Sequence, residues 1–240
     1  MCGRYQRRAD KKMIADAFQL GDVDGLHLEL APDYNVAPQT MQPVVIWDEK
    51  EGMRILQMMF WRFLPPFVAD PKTFKRSTIN AKGETLTQGD FWKDSFLHRR
   101  CLVPIDSFVE WHNKGKSRLP WLFGMADDGI FALGGIWRHW RSPDGETQMD
   151  TFAIITTEAN ELVLDKPGMI VCQSIIKQQD YQRRLEPGDE QRPPIDLIRL
   201  FDSEKMKAWR VEQKINSVKN NGPELCEPKE DDGQMGMFDI

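Results

Sequence analysis

Six runs of apolar or alternating residues constrain the fold of this chain more than any other feature. Each run is short and bounded by Gly, Pro, Asp or Asn, which is typical of β-strands. The runs cover residues 43–47, 53–61, 101–109, 120–125, 130–140 and 151–157. The sequences Asp127-Asp-Gly129 and Ser142-Pro-Asp-Gly145 join three of them in succession as tight turns. This spacing predicts a mostly antiparallel β-structure.

Short helices are expected around the strands. Asp10 can cap a helix over residues 10–20, in which Met13, Ile14 and Phe18 recur at helical spacing. Further short helices are predicted from residue 157 and at 180–185, 193–201 and 203–209. We therefore predict an α+β fold with one domain over residues 1–228, mostly antiparallel β with barrel-like sheets and short flanking helices. An acidic, disordered tail over residues 229–240 follows.

Composition excludes several classes of protein. Hydrophobic residues make up 40% and charged residues 29% of the 240, as in ordinary globular proteins. Neither a signal peptide nor a membrane span is recognisable, so we expect a cytoplasmic protein without a membrane partner. The four cysteines lie far apart, which favours reduced thiols and argues against zinc. We expect no metal and no cofactor.

Charge is unevenly distributed along the chain. The net charge of −5 is unusual for a nucleic-acid-binding protein, which normally carries a basic excess. However, residues 224–240 hold six acidic residues and one basic residue, leaving 31 of each sign elsewhere. A neutral body permits a local basic groove.

Cys2 is the most informative single residue. If Met1 is removed, Cys2 becomes the N-terminus and carries a free α-amine beside its thiol. The two groups titrate at about 7.7–8.0 and about 8.5, so both are usable near neutral pH. An aldehyde condenses with such an amine to a Schiff base, which the thiol closes to a thiazolidine. A buried core cysteine is the ordinary alternative for this residue type.

Six collinear blocks surround this chemistry. The blocks are Cys2-Gly-Arg-Tyr5, Tyr34-Asn-Val-Ala-Pro38, Trp61-Arg-Phe-Leu-Pro-Pro66 leading into Thr78-Ile-Asn-Ala-Lys-Gly-Glu-Thr85, Arg99-Arg-Cys-Leu-Val-Pro-Ile-Asp-Ser-Phe-Val-Glu-Trp111, Phe152-Ala-Ile-Ile-Thr-Thr-Glu-Ala-Asn160, and Asn216-Ser-Val-Lys-Asn-Asn-Gly-Pro-Glu-Leu225. We refer to residues 216–225 as the closing segment. Together, in this order, the blocks resemble the SOS-response-associated peptidase family from Cys2 to about residue 228.

The resemblance implies that Met1 is removed and that Cys2 then forms a covalent thiazolidine with an abasic site in single-stranded DNA. Met1 is removed either by the protein's own site, as an autopeptidase, or by a general aminopeptidase. Asn80 and Glu110 stand where the family has its active-site amide and carboxylate, so Cys2, Asn80 and Glu110 are the candidate catalytic residues. An amide can hold the sugar by hydrogen bonds, and a carboxylate can move protons.

Substrate contacts are expected from residues in or near the same blocks. The candidates are Gly3, Arg4, Pro38, Arg76, Lys82, Arg99 and Trp111. Basic side chains such as these, and Arg100 beside them, can contact phosphates, while Trp61, Phe67 and Trp111 can stack on unpaired bases. Core packing is the alternative for the aromatic residues, above all for Trp61 and for Trp121, Trp137 and Trp140.

One departure from the family pattern concerns a histidine that usually follows the Thr-Thr-Glu-Ala-Asn block. No histidine follows Asn160 in this chain. Aligning Asp165 with the family's aspartate puts Leu164 in the histidine's place, whereas aligning Met169 with its methionine puts Lys166 there. Lys166 and, less directly, His112 are candidates for the missing acid–base role.

Three functions remain open on the sequence alone. The first is a self-processing protein that crosslinks abasic sites in DNA repair. The second is a thiol peptidase acting on other proteins, against which no Cys–His pair with a known spacing is found. The third is a single-stranded-DNA-binding module with weakened catalysis. We expect a monomer in each case.

The tail carries a second motif. Gln234-Met-Gly-Met-Phe238 resembles the short peptide by which bacterial repair proteins dock on the sliding clamp, with Gln234, Met237 and Phe238 as the contacts. Chance occurrence of apolar residues in an unstructured terminus is the alternative.

Overall fold

The computed structural model describes residues 3–21, 23, 28–188 and 190–229. Within these residues thirteen strands form two sheets. Their bounds are β1 (Tyr5–Arg7), β2 (Asp33–Val36), β3 (Met41–Asp48), β4 (Met53–Trp61), β5 (Asn80–Lys82), β6 (Arg100–Ile105), β7 (Ser107–Lys114), β8 (Ser117–Met125), β9 (Phe131–Arg141), β10 (Gln148–Glu158), β11 (Val171–Gln173), β12 (Ile175–Ile176) and β13 (Met206–Arg210). The long strands lie where the apolar runs predict them.

Short helices cover the outside of the strands. They are α1 (Lys11–Phe18), α2 (Asp90–His98), α3 (Glu161–Leu164) and α4 (Tyr181–Leu185). The predicted cap of α1 is confirmed, since Asp10 Oδ1 accepts a hydrogen bond from the Met13 amide at 2.8 Å. Among the described residues, no helix combines the length and apolarity needed to cross a bilayer.

The first sheet has the strand order β13-β8-β7-β1-β2 and is antiparallel throughout. The amino-terminal strand β1 is therefore an interior strand, with β7 on one side and β2 on the other. Both its edges are used in hydrogen bonding, which holds the start of the chain in a fixed position.

The second sheet closes into a barrel. Strands β10, β4, β3, β6 and β9 are neighbours in that order, and β9 also pairs with β10, which completes the ring. Only β4 and β5 run parallel to β10; the other described pairings are antiparallel. The predicted α+β class with barrel-like, mostly antiparallel sheets is confirmed. The domain limits at residues 1–228 stay a prediction.

An aromatic core connects the barrel to the first sheet. The Trp61 ring lies 5.1 Å from the Tyr5 ring and 6.3 Å from the Phe152 ring, and its Nε1 donates to the Ile79 carbonyl at 2.9 Å. Trp61 has no exposed surface, so its core role is confirmed. Trp140 is also buried, whereas Trp121 and Trp137 are half-buried against the core. Tyr5 thus ties the amino-terminal strand into this core.

The predicted single strand over residues 101–109 is wrong in one respect. The strand is interrupted at Asp106, between the end of β6 in the barrel and the start of β7 in the first sheet. Asp106 Oδ2 accepts hydrogen bonds from the amides of Arg8 and Ala9, and its own amide donates to the Gln6 carbonyl. The buried Asp106 side chain at this corner thus provides hydrogen-bond acceptors for main-chain amides of the amino-terminal segment.

The two predicted C-terminal helices are mostly absent from the described residues. Residues 203–209 form one 3₁₀ turn at Ser203–Lys205 and then β13, which pairs residue by residue with the edge of β8. Of residues 193–201, only Ile195–Leu197 is a 3₁₀ turn. An available strand edge outweighs the weak helical preference of such short sequences.

The barrel leaves little room at the centre of β9. Gly135 pairs with Cys101 on β6 and Ile154 on β10, and an added Cβ would lie 2.7 Å from Cys101 Sγ and 3.1 Å from the Ala153 carbonyl oxygen. Since the main chain of β10 cannot withdraw, we expect Gly135→Ala to lower the free energy of unfolding by about 1–3 kcal/mol, measured by urea denaturation.

Gly188→Ala is the matched control, because a Cβ at Gly188 meets nothing within 4 Å. Equal losses of stability in the two variants would contradict the packing argument.

Candidate active site around Glu110

Glu110 lies on β7, in the layer between the first sheet and the barrel. Side chains alternate along β7, so Glu110 shares the face of Phe108, which belongs to the central core. Only 7% of Glu110 is exposed. Gln173 Nε2, on β11 of the barrel sheet, donates a hydrogen bond to Glu110 Oε1 at 3.1 Å. This contact joins the two sheets.

Burial raises the pKa of the Glu110 carboxyl above its usual range. The hydrogen bond from Gln173 and the positive charge of Arg118 act in the opposite direction without cancelling the effect of burial. A carboxyl with a raised pKa keeps its proton closer to neutral pH. Glu110 is therefore suited to both giving and taking a proton.

Gly3 is placed beside Glu110 by the register of β1 on β7. Tyr5 pairs with Phe108, and the Val109 amide donates to the Arg4 carbonyl at 3.0 Å. The same antiparallel register places Gly3 opposite Glu110. An added Cβ on Gly3 would meet no atom of the described residues within 4 Å, its chain neighbours aside. Met1 and Cys2, the preceding residues, lie outside the described residues.

Asn80 reaches the same layer from the barrel. It pairs with Ile154 on β10, while Gln173 pairs with Thr156, two residues further along β10. Paired residues share a face of a sheet, as do residues two apart on a strand. Asn80 and Gln173 thus project from the face of Ile154, which is part of the central core. Lys82 follows on that face and is exposed.

A cleft of about 170 Å³ opens beside Glu110. It is lined by Glu110, Trp111, Asn113, Arg118 and residues 168–171. Arg118 is exposed, and its guanidinium carbon lies 4.5 Å from the centre of the Trp111 ring. The cleft therefore combines a buried carboxyl with an exposed cation.

Leu164 and Lys166, the two candidates for the position of the missing histidine, lie at the end of α3 and in the loop after it. Lys166 Nζ lies 5.0 Å from the centre of the Trp121 ring and 2.7 Å from Asp165 Oδ2. Trp121 is the cross-strand partner of Glu110, so the two share a face. Leu164 ends α3 and is 56% exposed. Lys166 therefore lies over Trp121, on the face that Glu110 shares, and the assignment of the acid–base role stays a prediction.

Arg4 holds the amino-terminal segment against the end of the domain. It is 8% exposed and donates from NH1 to Asn35 Oδ1 at 2.6 Å and to the Ile215 carbonyl at 3.1 Å. Its guanidinium carbon also lies 6.0 Å from the centre of the Trp111 ring. The described contacts of Arg4 are structural, and the expected phosphate contact stays a prediction.

The other predicted binding residues are spread over the surface. Pro38 is half-buried in the turn after β2, where the Gln39 amide donates to the Trp61 carbonyl at 3.0 Å. Arg76 is exposed and stacks on Phe91 at 4.0 Å, and Arg99 at the end of α2 pairs with Asp94. The structure does not bring Arg76 or Arg99 into contact with the residues that line the Glu110 cleft.

Arg100 is not available to phosphate, so that expectation is wrong. It is 5% exposed, and its guanidinium donates to the carbonyls of Arg184 at 2.8 Å, Phe96 at 3.1 Å and Leu97. Main-chain carbonyls near the ends of α2 and α4 are its partners instead. Phe67, by contrast, is 69% exposed and remains a candidate for stacking.

Sequence reasoning missed Gln173 and Arg118. Gln173 lies in a three-residue strand outside the motif blocks, and no local pattern connects it to Glu110, which is 63 residues away. Arg118 had a signal, because it follows Trp111 in a hairpin whose turn lies at Gly115. Residues on opposite sides of such a turn are brought close together.

The described thiols are poorly suited to reaction. Burial raises the pKa of Cys101 to about 12 and that of Cys172 to about 12, and it also raises the pKa of Cys226. Since the thiolate is the nucleophilic form, these groups are unreactive near neutral pH. Within the described residues, no group of three or more His, Cys, Asp or Glu side chains is placed to hold a metal ion.

Comparison with known proteins identifies relatives over most of the chain. The family described as SOS response associated peptidase (SRAP) matches residues 1–218. The abasic site processing protein YoqW of Bacillus subtilis is 30% identical over 233 residues, which cover 95% of this chain and 99% of that protein. The abasic site processing protein HMCES of Gallus gallus is 25% identical, over 83% of this chain and 67% of that protein.

Two solved structures share the fold. A protein of Bacteroides thetaiotaomicron matches with a TM-score of 0.81 and 22% identity, over 95% of this chain and all of that one. A protein of Bordetella bronchiseptica matches with a TM-score of 0.73 and 20% identity, over 88% of this chain and all of that one. These likenesses support the arrangement of strands described above.

The raised pKa of Glu110 makes stability depend on pH. The folded protein holds this proton more tightly than the unfolded chain, so its stability falls as the pH rises from the ordinary glutamate pKa through the folded pKa. Glu110→Gln removes the buried charge and keeps an acceptor for Gln173. We expect the variant to gain thermal stability over the parent at pH 7.5, and to gain less at pH 4.5.

Melting temperatures of both proteins at the two pH values test this. The quantity compared is the difference in melting temperature between variant and parent at each pH, so the effects of carboxylates that both proteins share cancel. A gain at pH 4.5 as large as that at pH 7.5 would contradict a raised pKa.

Proposed function

The chain belongs to the SOS response associated peptidase family, and we propose that it processes abasic sites in single-stranded DNA by a covalent bond through Cys2. The names of its relatives in Bacillus subtilis and Gallus gallus support the substrate. In this proposal the chain removes its own Met1 as an autopeptidase. Cys2 then crosslinks to the lesion as a thiazolidine.

The observation that carries the proposal is the buried carboxyl of Glu110 opposite Gly3. Gly3 directly follows Cys2 in the chain, so the register of β1 on β7 keeps the reacting end near a carboxyl whose pKa is raised. Among the described residues, no atom lies within 4 Å of a Cβ built on Gly3, which is consistent with a substrate approaching from this side. The described cysteines have pKa values raised by burial, which leaves Cys2 as the candidate nucleophile.

The chemistry needs two proton-transfer steps. The α-amine of Cys2 adds to the aldehyde carbon of the opened sugar, and loss of water gives the imine. The thiol sulfur then adds to the imine carbon, and its proton ends on the ring nitrogen. Glu110 is suited to give the proton that lets water leave and to take the thiol proton. Asn80, from the facing sheet, is assigned to hold the sugar hydroxyls by hydrogen bonds.

Removal of the Cys2 thiol tests the mechanism. Cys2→Ser keeps the α-amine but replaces the thiol with a much weaker nucleophile, so an imine can form without closing to a stable ring. We expect loss of the heat-stable adduct with single-stranded DNA that carries one abasic site, measured on a denaturing gel. Intact mass of each protein establishes whether Met1 has been removed.

Cys226→Ser is the matched control, because it removes a half-buried thiol and should keep the adduct. A heat-stable adduct of undiminished yield in Cys2→Ser would overturn the thiazolidine. Binding by the parent that is only reversible and weakened by salt would favour the binding-module alternative. Cleavage of an added peptide substrate that depends on Cys2 would favour the peptidase acting on other proteins.

We also propose that the tail docks this protein on a bacterial sliding clamp. The contact residues Gln234, Met237 and Phe238 lie outside the described residues. The last described residue, Lys229, donates from its amide to the Arg210 carbonyl at 2.8 Å and lies with its Nζ 3.6 Å from Glu212. The tail therefore starts at the end of β13, at an edge of the first sheet.

A peptide of residues 228–240 tests this docking in titrations against a bacterial clamp. We expect saturable binding that is lost in the Phe238→Ala peptide, because an aromatic side chain filling an apolar pocket typically dominates such an interface. An Asp239→Asn peptide controls for charge. Equal binding by the parent and Phe238→Ala peptides would exclude the motif.

A further inference from the structure

A group of exposed cations lies next to the Glu110 cleft but outside the predicted binding residues. It consists of Lys114, Lys116 and Arg118 in the β7–β8 hairpin, and of Lys214 and Lys219 in and before the closing segment. We call these five residues the basic patch. No acidic residue occurs between 111 and 119 or between 213 and 223. In a chain with a net charge of −5, this is a local concentration of positive charge.

Asn216 joins the hairpin residues of the basic patch to the residues in and before the closing segment. Asn216 Oδ1 accepts from Trp111 Nε1 at 2.7 Å, and Asn216 Nδ2 donates to the Arg118 carbonyl at 3.0 Å. Asn220 Nδ2 in turn donates to the Lys214 carbonyl at 2.7 Å. Residues about 100 positions apart in the chain are thus held on one surface. The patch is therefore assembled by folding from two separate segments and is not a single run of charges in the sequence.

Arg118 connects the patch to the site. Its guanidinium carbon lies over the Trp111 ring at 4.5 Å from the ring centre, a distance at which cation–π attraction holds the group. Stacking occupies a face of the guanidinium and leaves N–H donors at its edge, which match the oxygens of a phosphate. Arg118 also lines the cleft with Glu110.

Within the part of the chain that the structure describes, no acid forms an ion pair with a cation of the basic patch. Glu110 is buried at the base of the cleft. Glu212 lies 3.6 Å from the Nζ of Lys229, and Glu224 follows the acid-free stretch. The cations of the patch face solvent, where a polyanion can release the counterions they attract.

We propose that the basic patch binds the phosphate backbone of the single strand as it leaves the Glu110 cleft, with Arg118 contacting the phosphate nearest the reacting sugar. The identity of the ligand rests on the proposed function. In this arrangement Trp111 supports Arg118 and does not stack on a base. The patch supplies affinity without reading sequence, since phosphate contacts are the same for every nucleotide.

Charge removal tests the patch. The variant Lys114→Gln, Lys116→Gln, Arg118→Gln changes exposed residues only, so folding should be kept. The matched control, Lys12→Gln, Lys50→Gln, Lys93→Gln, removes the same charge from exposed lysines on α1, the β3–β4 turn and α2. Fluorescence anisotropy with abasic-free single-stranded DNA over a range of salt concentrations gives the slope of log affinity against log salt.

Each lost phosphate contact should lower that slope by about 0.7, so the patch variant should lose about 2 and the control close to nothing. An unchanged slope in the patch variant, or an equal loss in the control, overturns the proposal. This binding assay requires no crosslink, so it remains decisive if the proposed covalent chemistry fails.

A second measurement separates binding from chemistry. A second variant, Lys114→Gln, Lys116→Gln, Lys214→Gln, removes exposed patch charges and keeps Arg118 in the cleft. On an abasic oligonucleotide of about five nucleotides, too short to cover the patch, this variant should crosslink as fast as the parent. On a long strand at limiting protein concentration it should crosslink more slowly. Slower reaction on both substrates would mean that these residues act within the catalytic site, and would overturn a backbone-binding role.

Discussion

The interior position of β1 is the constraint on which the site depends. A strand with partners on both edges cannot shift along its neighbours without breaking two sets of main-chain hydrogen bonds. Tyr5 adds side-chain packing to this, because its ring lies against Trp61 in the central core. The start of the chain is therefore held in register with β7, and Gly3 remains opposite Glu110. In a protein whose proposed nucleophile is the second residue, that register decides the geometry of the reaction.

The facing layer is organised by β10. This strand hydrogen-bonds to β4, β5, β9 and β11, and so places Asn80 and Gln173 on one face in a fixed relation. Gln173 then partners Glu110 across the gap between the sheets. A buried carboxyl without a partner is costly, and one with a partial partner keeps a raised pKa. The hydrogen bond from Gln173, which joins the two sheets, thus also influences the pKa of Glu110, the group proposed to transfer protons.

Sequence patterns predicted the long strands and missed the short ones. Strand β4 agrees with its predicted bounds because nine residues contain enough alternation to be recognised. Strands β1, β5, β11 and β12 have two or three residues, too few for any period to appear. The segment after Ser203 has only a weak preference for helix or strand, so its sequence does not determine its structure. Pairing with the edge of β8 makes most of it the strand β13. Yet β5 and β11 carry Asn80 and Gln173, and β1 sets the position of Gly3.

The sequence by itself determined the residue types, the six collinear blocks and hence the family, since these depend on identity and order alone. The tertiary structure determines which of the charged residues are exposed. Arg4 and Arg100 look alike in sequence to Arg118, but the first two are buried on oxygen acceptors while Arg118 lies exposed on Trp111. It also decided that Gln173 partners Glu110 and that the closing segment meets the β7–β8 hairpin. Such contacts join residues far apart in the chain, so they exist only once strand registers are set, and no local pattern encodes them.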